Sequence, residues 1–272
     1  MISILSLSPH SKLMKKTLKS LGITLLVIAF WLAVWWLGAI KMGRELLLPS
    51  PVSVLKTLLQ LAVTAEFWLI VLKSIWRVVL GILLAILSGV LLALLTSRFY
   101  FLHRLFYPLL SVIKATPIAS FVILALLWLG ASALPVFISM LIVLPVIWAS
   151  VSDGIGALDK RLDEVCRVFS FPLSKRLRLF YLPTVTPYFL SACKTSIGMA
   201  WKAGVAAEVL AVSPVSIGKQ LYEAKIYLET SELFAWTLVV ILLSLLIEKA
   251  VANGLLFVSN RYVRRYSHAE SK

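Results

Sequence analysis

Six blocks of about 20 predominantly apolar residues recur along the chain, and they constrain its fold more than any other feature. At about 1.5 Å of rise per helical residue, a block of this length crosses the ~30 Å hydrocarbon layer of a bilayer. Helix is the expected conformation, because in lipid every backbone polar group must find a partner within its own segment. The sequence therefore predicts an all-α integral membrane protein with one transmembrane domain over residues 1–272. The predicted spans are approximately 21–40, 74–96, 107–129, 134–152, 187–210 and 233–257.

Composition agrees with this fold class. Of the 272 residues, 61% are hydrophobic and 14% are charged, whereas soluble domains carry about 25% charged residues. The net charge of +15 would also suit a nucleic-acid-binding protein, but the basic residues lie at the ends of the apolar blocks rather than in a separate domain. We therefore expect a membrane lipid environment and no nucleic-acid partner.

The basic residues also predict an orientation, because cytoplasmic loops of membrane proteins are enriched in lysine and arginine. Six spans put the N-terminal tail, the loops at 97–106 and 153–186 and the C-terminal tail on one side, and all of these segments are basic. The loop at 41–73 holds four basic residues on the opposite side and disagrees with the pattern. We expect a multi-pass inner or plasma membrane protein with both termini in the cytoplasm. The first block is longer than the 7–15 apolar residues typical of a signal peptide, so it is predicted to be a retained span.

Small residues recur every four positions in two of the blocks. One series comprises Gly81, Ala85, Gly89 and Ala93, and the other comprises Ala192, Ser196, Ala200 and Gly204. Small side chains let helix backbones approach closely in lipid, so we expect tight helix–helix contacts at both series.

The segment 153–186 is the longest predicted cytoplasmic loop, and its pattern is amphipathic. Apolar residues recur at helical spacing at Leu158, Leu162, Val165 and Phe169. A break at 170–172 follows, and then a second short amphipathic stretch that Leu182–Pro183 is expected to end before Pro187 opens the next span. This predicts a cytoplasmic helix–turn–helix over 158–183, which could rest on lipid head groups or dock a cytoplasmic protein.

The same segment resembles the permeases of ABC importers, which carry a cytoplasmic motif of the form E-A-A-x3-G-x9-I-x-L-P. Glu164 matches the glutamate of the motif, and Leu182 and Pro183 match its last two positions without a gap. Ser170 stands at the glycine position and Phe180 at the isoleucine position.

Other segments resemble the nitrate, sulfonate and taurine branch of that family, and the resemblance covers about residues 45–260. They include Leu48-Pro49-Ser50-Pro51, which precedes a predicted short helix at 52–63, together with Trp128-Leu129-Gly130 and Ala206-Ala207-Glu208.

The resemblance implies that the chain is a permease subunit. Such a subunit forms the substrate pathway, pairs with a second permease copy, receives substrate from an external binding protein and couples to a cytoplasmic ABC ATPase dimer. The implied ATPase-coupling residues are Glu164, Ser170, Phe171, Pro172, Leu173, Ser174, Leu182 and Pro183. The chain has no G-x-x-x-x-G-K-[ST] phosphate loop, so ATP and Mg are expected on the partner ATPase, with no cofactor and no catalysis in this chain. The implied substrate is a small nutrient, either an anion of the nitrate, sulfonate or taurine type or a thiamine or pyrimidine precursor.

Charged residues within the apolar blocks are candidates for the substrate pathway or a gate, because charges in hydrocarbon are costly unless they pair or meet water. Lys202 lies near the middle of its span, where a long side chain reaches the interface with difficulty, and a lysine in a cavity would suit an anionic substrate. Glu208, nearer the outer end, predicts a helix interface or an outer gate. Lys114 precedes Pro117, which frees a backbone carbonyl and predicts a kink or gate in the third span.

Two other function classes are open on the sequence alone. An ion-gradient-driven secondary transporter would be expected to show inverted repeats with spans broken at matching positions. A membrane-embedded enzyme would need a convergent nucleophile, acid–base or metal set within the spans. We find neither pattern in the sequence.

Overall fold

The computed structural model describes the backbone of residues 9–267 and the side chains of residues 22–254, apart from those at positions 160, 163 and 167. Within that part of the chain the structure is helical and contains no strand. The helices are α1 (Pro9–Met42), α2 (Pro51–Ala62), α3 (Ala65–Arg98), α4 (Tyr100–Ala115), α5 (Ile118–Leu126), α6 (Leu134–Gly156), α7 (Lys160–Val168), α8 (Leu173–Arg176), α9 (Leu182–Ala211), α10 (Ile217–Ile226) and α11 (Thr230–Ser267), with a π-helix at Leu177–Tyr181.

The chain divides into two compact units, and the smaller contains residues up to Leu61 together with Ala224–Ala235. Its contacts centre on the turn before α2. The Trp35 indole donates a hydrogen bond to the Pro49 carbonyl at 3.1 Å, and its ring stacks on Phe234 with centroids 5.8 Å apart. Pro51 opens α2, as the sequence predicts for a proline in the first turn of a helix.

The larger unit contains Ala62–Glu223 and the chain from Trp236 onward, and its core is built on α6, which packs against both α3 and α9. Both series of small residues are buried at these contacts, which confirms the predicted close packing. A Cβ atom at Gly81 would overlap the carbonyl oxygen of Val136 and lie 2.8 Å from the Cβ of Ser139. On α9, a Cβ atom at Gly204 would lie 2.7 Å from the hydroxyl oxygen of Ser139 on α6 and 2.6 Å from a methyl group of Val78 on α3.

Four of the described helices, namely α1, α3, α6 and α11, are long and apolar enough to cross a membrane. The pair α4 and α5 supplies up to a fifth span. These helices correspond to five of the six predicted spans. The remaining predicted span, 187–210, falls on α9, which is 30 residues long but carries Lys194, Lys202 and Glu208. That α9 crosses the membrane stays a prediction.

The third predicted span, 107–129, falls on two helices, α4 and α5, that together are long and apolar enough for one span. The axis bends by 104° between α4 and α5, and the break falls at Thr116 and Pro117. Thr116 is extended, with φ −80° and ψ 134°, because the proline ring disfavours helical angles at the residue before it. The kink predicted at Pro117 is therefore present.

The prediction that Leu182–Pro183 ends a short helix and that Pro187 opens the next span is wrong, because α9 begins at Leu182 and Pro187 lies inside it. The backbone stays helical from Leu173 through the π-helix into α9. The Leu182 amide donates to the Leu177 carbonyl, five residues back, which widens the turn just before the proline. Pro183 follows directly, inside the continuous helix, and its missing N–H leaves one helical hydrogen bond unmade at the point where the turn is widened.

Candidate functional site

The first candidate site is the coupling segment, which we define as Lys160–Tyr181. Its α7 helix ends in a turn at Ser170, whose φ of +51° lies in the left-handed region. The Phe171 amide donates to the Cys166 carbonyl at 2.9 Å, which is the hydrogen bond that closes a Schellman helix end. Ser170 therefore adopts the backbone angle that glycine supplies most readily, at the motif position where the family has glycine.

The tip of the coupling segment exposes apolar side chains. Phe169 is 70% exposed and Leu173 is 67% exposed. Lys175 places its ammonium 5.8 Å from the centre of the Phe171 ring. Contiguous exposed apolar groups rimmed by charge are typical of a protein–protein contact surface. The segment also brings Pro172 and Ser174, both exposed, to this tip.

The base of the coupling segment is packed. Cys166 on α7 is only 2% exposed, and it faces Phe180 and Tyr181 across a cavity of about 30 Å³. Glu164 is exposed, whereas Leu182 and Pro183 lie at the base, inside the continuous helix rather than at the tip. The coupling segment thus contains most of the predicted coupling residues. Leu182 and Pro183 lie apart from its tip.

The second candidate site is a cavity of about 640 Å³ between α4, α5, α6 and α9. Both Lys114 and Lys202 line it, and the rest of its lining is mostly aliphatic. The Lys202 ammonium also lies 3.7 Å from a carboxylate oxygen of Glu248 on α11. Thr116 and Ile118 line the cavity on either side of Pro117, which occupies the bend. The structure therefore brings three predicted pathway residues to one region.

Glu208 lies elsewhere, in a buried polar network that joins α9 to α3. Its side chain is fully buried and accepts hydrogen bonds from the Ser74 hydroxyl at 2.8 Å and from the Gly218 amide at 3.2 Å. A guanidinium nitrogen of Arg77 lies 3.4 Å from its other oxygen. Arg77 also donates to the Pro214 carbonyl at 2.7 Å, so the network holds the loop after α9. This geometry matches the helix-interface alternative predicted for Glu208.

Sequence reasoning missed Ser74 and Arg77. Arg77 falls inside the predicted second span, and an intramembrane arginine is expected to pair with an acid. That signal was available, but the residues between it and Glu208 give no indication that the two helices are neighbours. Within the described residues, no group of three or more His, Cys, Asp or Glu side chains could hold a metal ion.

Comparison with known proteins gives consistent matches. The family described as binding-protein-dependent transport system inner membrane component matches residues 81–265. A putative aliphatic sulfonates transport permease protein of Bacillus subtilis is 26% identical over 224 residues, which cover 80% of this chain and 78% of that protein. A bicarbonate transport system permease protein of Synechococcus elongatus is 27% identical over 101 residues, or 37% of this chain and 36% of that protein.

A solved structure described as an amino acid ABC transporter with histidines superposes with a TM-score of 0.57. The match covers 72% of this chain and 93% of that chain at 15% identity, so it shows a shared fold.

Proposed function

Because this chain belongs to the family of binding-protein-dependent transport system inner membrane components, we propose that it is the permease subunit of an ATP-driven importer of a small anion. In this proposal the chain forms the substrate pathway, and a separate cytoplasmic ATPase dimer drives it. The chain itself hydrolyses no ATP and holds no cofactor, and ATP and Mg bind to the partner.

The observation that carries the coupling part of the proposal is the left-handed turn at Ser170. The turn projects the apolar tip of the coupling segment away from its packed base. A rigid base and an exposed, shape-specific tip are what a lever needs in order to transmit movement between two proteins. We expect Phe171 and Leu173 to contact the ATPase, with Glu164 and Ser174 beside them. Leu182 and Pro183 connect the coupling segment to α9.

The substrate part of the proposal rests on the cavity at Lys114 and Lys202. Two lysines line a mostly aliphatic cavity, and the ammonium of one of them, Lys202, also lies 3.7 Å from Glu248. This lining favours a small molecule with one negative group and a short apolar body. The relatives named for aliphatic sulfonates and for bicarbonate both act on anions. A sulfonate matches the cavity better than bicarbonate, since bicarbonate has no apolar part.

The remaining partners follow from the same assignment. We infer a second permease copy, with a homodimer as the simplest arrangement, and an external substrate-binding protein that delivers the anion. The coupling segment and both termini then lie in the cytoplasm, which the basic tails and the basic loops at 97–106 and 153–186 favour and the basic loop at 41–73 does not.

Reconstitution tests the proposal directly. The chain is placed in proteoliposomes with its ATPase and binding protein, and transport of labelled ethanesulfonate and of labelled bicarbonate is measured. We expect transport of at least one anion that requires both ATP hydrolysis and the binding protein. Transport that persists when ATP is replaced by a non-hydrolysable analogue, or that follows an imposed ion gradient, would contradict the proposal and favour a secondary transporter.

A further inference from the structure

The smaller unit carries a surface that the proposed function does not use. It lies where α1, which is long and apolar enough to span a membrane, ends at Met42, and where α11, which is also long and apolar enough, begins at Thr230. The Thr230 hydroxyl donates to the Glu45 carbonyl at 2.9 Å, so the turn after α1 lies beside the start of α11. The two helices therefore meet the same membrane boundary, and the residues that follow Met42 or precede Thr230 lie at that boundary.

Helix α2 is held at the same level. It has 12 residues, which is too few to cross the hydrocarbon layer, since a spanning helix needs about 20. The Ser53 and Ser231 hydroxyls are 3.0 Å apart and share a hydrogen bond, which places α2 beside the first turn of α11. α2 therefore lies at the membrane boundary rather than across the membrane.

α2 has one packed face and one open apolar face. Val54 is only 1% exposed, whereas an apolar stripe at helical spacing on another face is more than half exposed. That stripe comprises Val52, Leu55 and Leu59. The turns that adjoin α2 and α11 also expose apolar side chains, namely those of Leu46, Leu47, Tyr227 and Leu228. Exposed apolar groups on a short helix at the membrane boundary are typical of a helix that lies in the lipid interface.

Three exposed cations accompany these apolar groups. Lys41 lies in the last turn of α1, Arg44 lies in the turn that follows, and Lys56 is next to the apolar stripe on α2. Among the described residues, none of the three forms an ion pair with a carboxylate. The segment 41–61 contains one acid, Glu45, against these three cations, so its net charge is +2. An unpaired cation beside apolar side chains at this depth lies at the level of the lipid phosphates.

The positive charge is confined to the α2 side of this surface. In the turn between α10 and α11, Lys225 is outnumbered by Glu229 and Glu232. The cations of the segment 41–61 are also most of those that made the loop at 41–73 an exception to the distribution of lysine and arginine among the loops. Attraction to lipid phosphate gives that exception a physical reason, because it does not depend on which side of the membrane the loop occupies.

We propose that α2 and the turn before it form a binding surface for anionic phospholipid. The apolar stripe of α2 inserts among the upper parts of the acyl chains, and Lys41, Arg44 and Lys56 contact the phosphate groups of the lipid heads. The surface anchors the end of α1 and the start of α11 at the membrane boundary. This role is separate from transport and from the coupling segment, so it stands whether or not the cargo is an anion.

The test measures which lipid lies beside α2 in the full-length permease. Leu59→Cys is labelled with an environment-sensitive fluorophore, and the unsubstituted chain, whose Cys166 and Cys193 are buried, supplies the labelling blank. The protein is placed in vesicles of phosphatidylglycerol and phosphatidylcholine, and a nitroxide quencher is carried on the acyl chain of one lipid or of the other. We expect quenching by both, with a local ratio of phosphatidylglycerol to phosphatidylcholine about fivefold or more above the bulk ratio, since one basic residue near the surface contributes about fivefold.

Three further variants separate charge from structure. The triple variant Lys41→Gln, Arg44→Gln and Lys56→Gln should bring the local lipid ratio down to the bulk ratio. Glu45→Gln should raise it, because an exposed acid is removed while the backbone carbonyl that binds Thr230 is kept, and this tests the idea even if the triple variant does not fold. The same label at Leu87→Cys, which is 71% exposed on α3, should report the bulk ratio in every background.

Two results would overturn the proposal. If neither lipid quenches the label at Leu59, the stripe does not contact lipid, and a change of its fluorescence when the external binding protein is added would assign the surface to that protein instead. If both lipids quench in their bulk proportion, and neither the triple variant nor Glu45→Gln changes that proportion, the cations do not select anionic lipid. Neither result involves transport, so the proposed function is tested separately.

Discussion

Ser74 and Glu208 are 134 positions apart in the sequence, yet the Ser74 hydroxyl donates a 2.8 Å hydrogen bond to the Glu208 carboxylate inside the helix bundle. The same hydroxyl accepts a hydrogen bond from the Ile217 amide at 3.0 Å. One serine thus connects α3 to both ends of the loop that joins α9 to α10. With Arg77, this contact restrains the end of α9 that lies opposite the coupling segment.

Replacement of Glu208 by alanine should destabilise the protein more than the same replacement of an acidic residue on the surface. The change leaves the Arg77 guanidinium and the Gly218 amide without their carboxylate, and breaking a buried ion pair costs about 3–5 kcal/mol. Equilibrium unfolding in mixed micelles measures the loss. The matched control is Glu66→Ala, which removes an exposed acid and should change the stability by about 0.5 kcal/mol or less. Equal stability of the two variants would show that the network contributes nothing.

Replacement of Ser170 by glycine should stabilise the turn of the coupling segment. A residue other than glycine loses about 1 kcal/mol or more in the left-handed conformation. Part of that gain is offset because glycine also makes the unfolded chain more flexible, so we expect a net gain of about 0.5–1 kcal/mol. Ser174→Gly, four residues away in α8, is the matched control and should leave stability unchanged or lower it by up to about 0.5 kcal/mol. A destabilised Ser170→Gly variant would mean that the serine side chain itself holds the turn.

Shortening of Leu173 should weaken the binding of the ATPase. Leu173 is 67% exposed at the tip of the coupling segment, and truncation of an apolar interface anchor typically costs about 1 kcal/mol or more. We expect Leu173→Ala to weaken the affinity for the ATPase about fivefold or more, measured by titration of the purified ATPase onto the permease in nanodiscs. Leu87→Ala removes the same atoms from a side chain that is 71% exposed on α3 and should leave the affinity unchanged. Loss of affinity in both variants would indicate a general folding defect.

The apolar blocks predict α1, α3 and α6 well, because the thickness of the bilayer fixes both the length and the composition of a spanning helix. Motif spacing also predicts the turn at Ser170, although the residue there is not the expected glycine. In both cases the information is local, since it lies within one helix or one turn and the neighbouring residues determine it.

What the sequence could not predict depends on contacts between distant segments. Pro117 indicates a break, but the 104° change of direction depends on how α5 packs in the bundle. The helix continues through Pro183 because the π-helix just before it widens the turn and accommodates the proline ring. The spacing of apolar residues does not reveal such a turn. The pairing of Arg77 with Glu208 depends on which helices are neighbours, and only the fold supplies that information.

Close approach of α3 and α6 at Gly81 gives a purely steric prediction. A Cβ atom there would overlap the Val136 backbone, which cannot move aside as a flexible side chain can. Gly81→Ala should therefore destabilise the protein by about 1–3 kcal/mol, as overpacking of a tight core does. Gly156→Ala is the matched control, because a Cβ atom at Gly156 meets nothing within 4 Å. Equilibrium unfolding of both variants measures the difference, and equal stability would show that the helices can separate at this point without cost.

Lys202 gives the prediction that separates a substrate-facing lysine from one that merely reaches the membrane surface. It lines the 640 Å³ cavity, whereas Lys194 on the same helix is exposed outside that cavity. Lys202→Ala should lower anion transport about tenfold at limiting substrate. The reason is that removal of one nearby positive charge weakens the binding of the anion by about 1.4 kcal/mol. Lys202→Arg should retain most of the transport, and Lys194→Ala should behave like the wild type. If Lys202→Ala transports the anion and stimulates ATP hydrolysis as the wild type does, the cavity is not the substrate pathway, because one of the two lysines in its lining would then have no effect on the cargo.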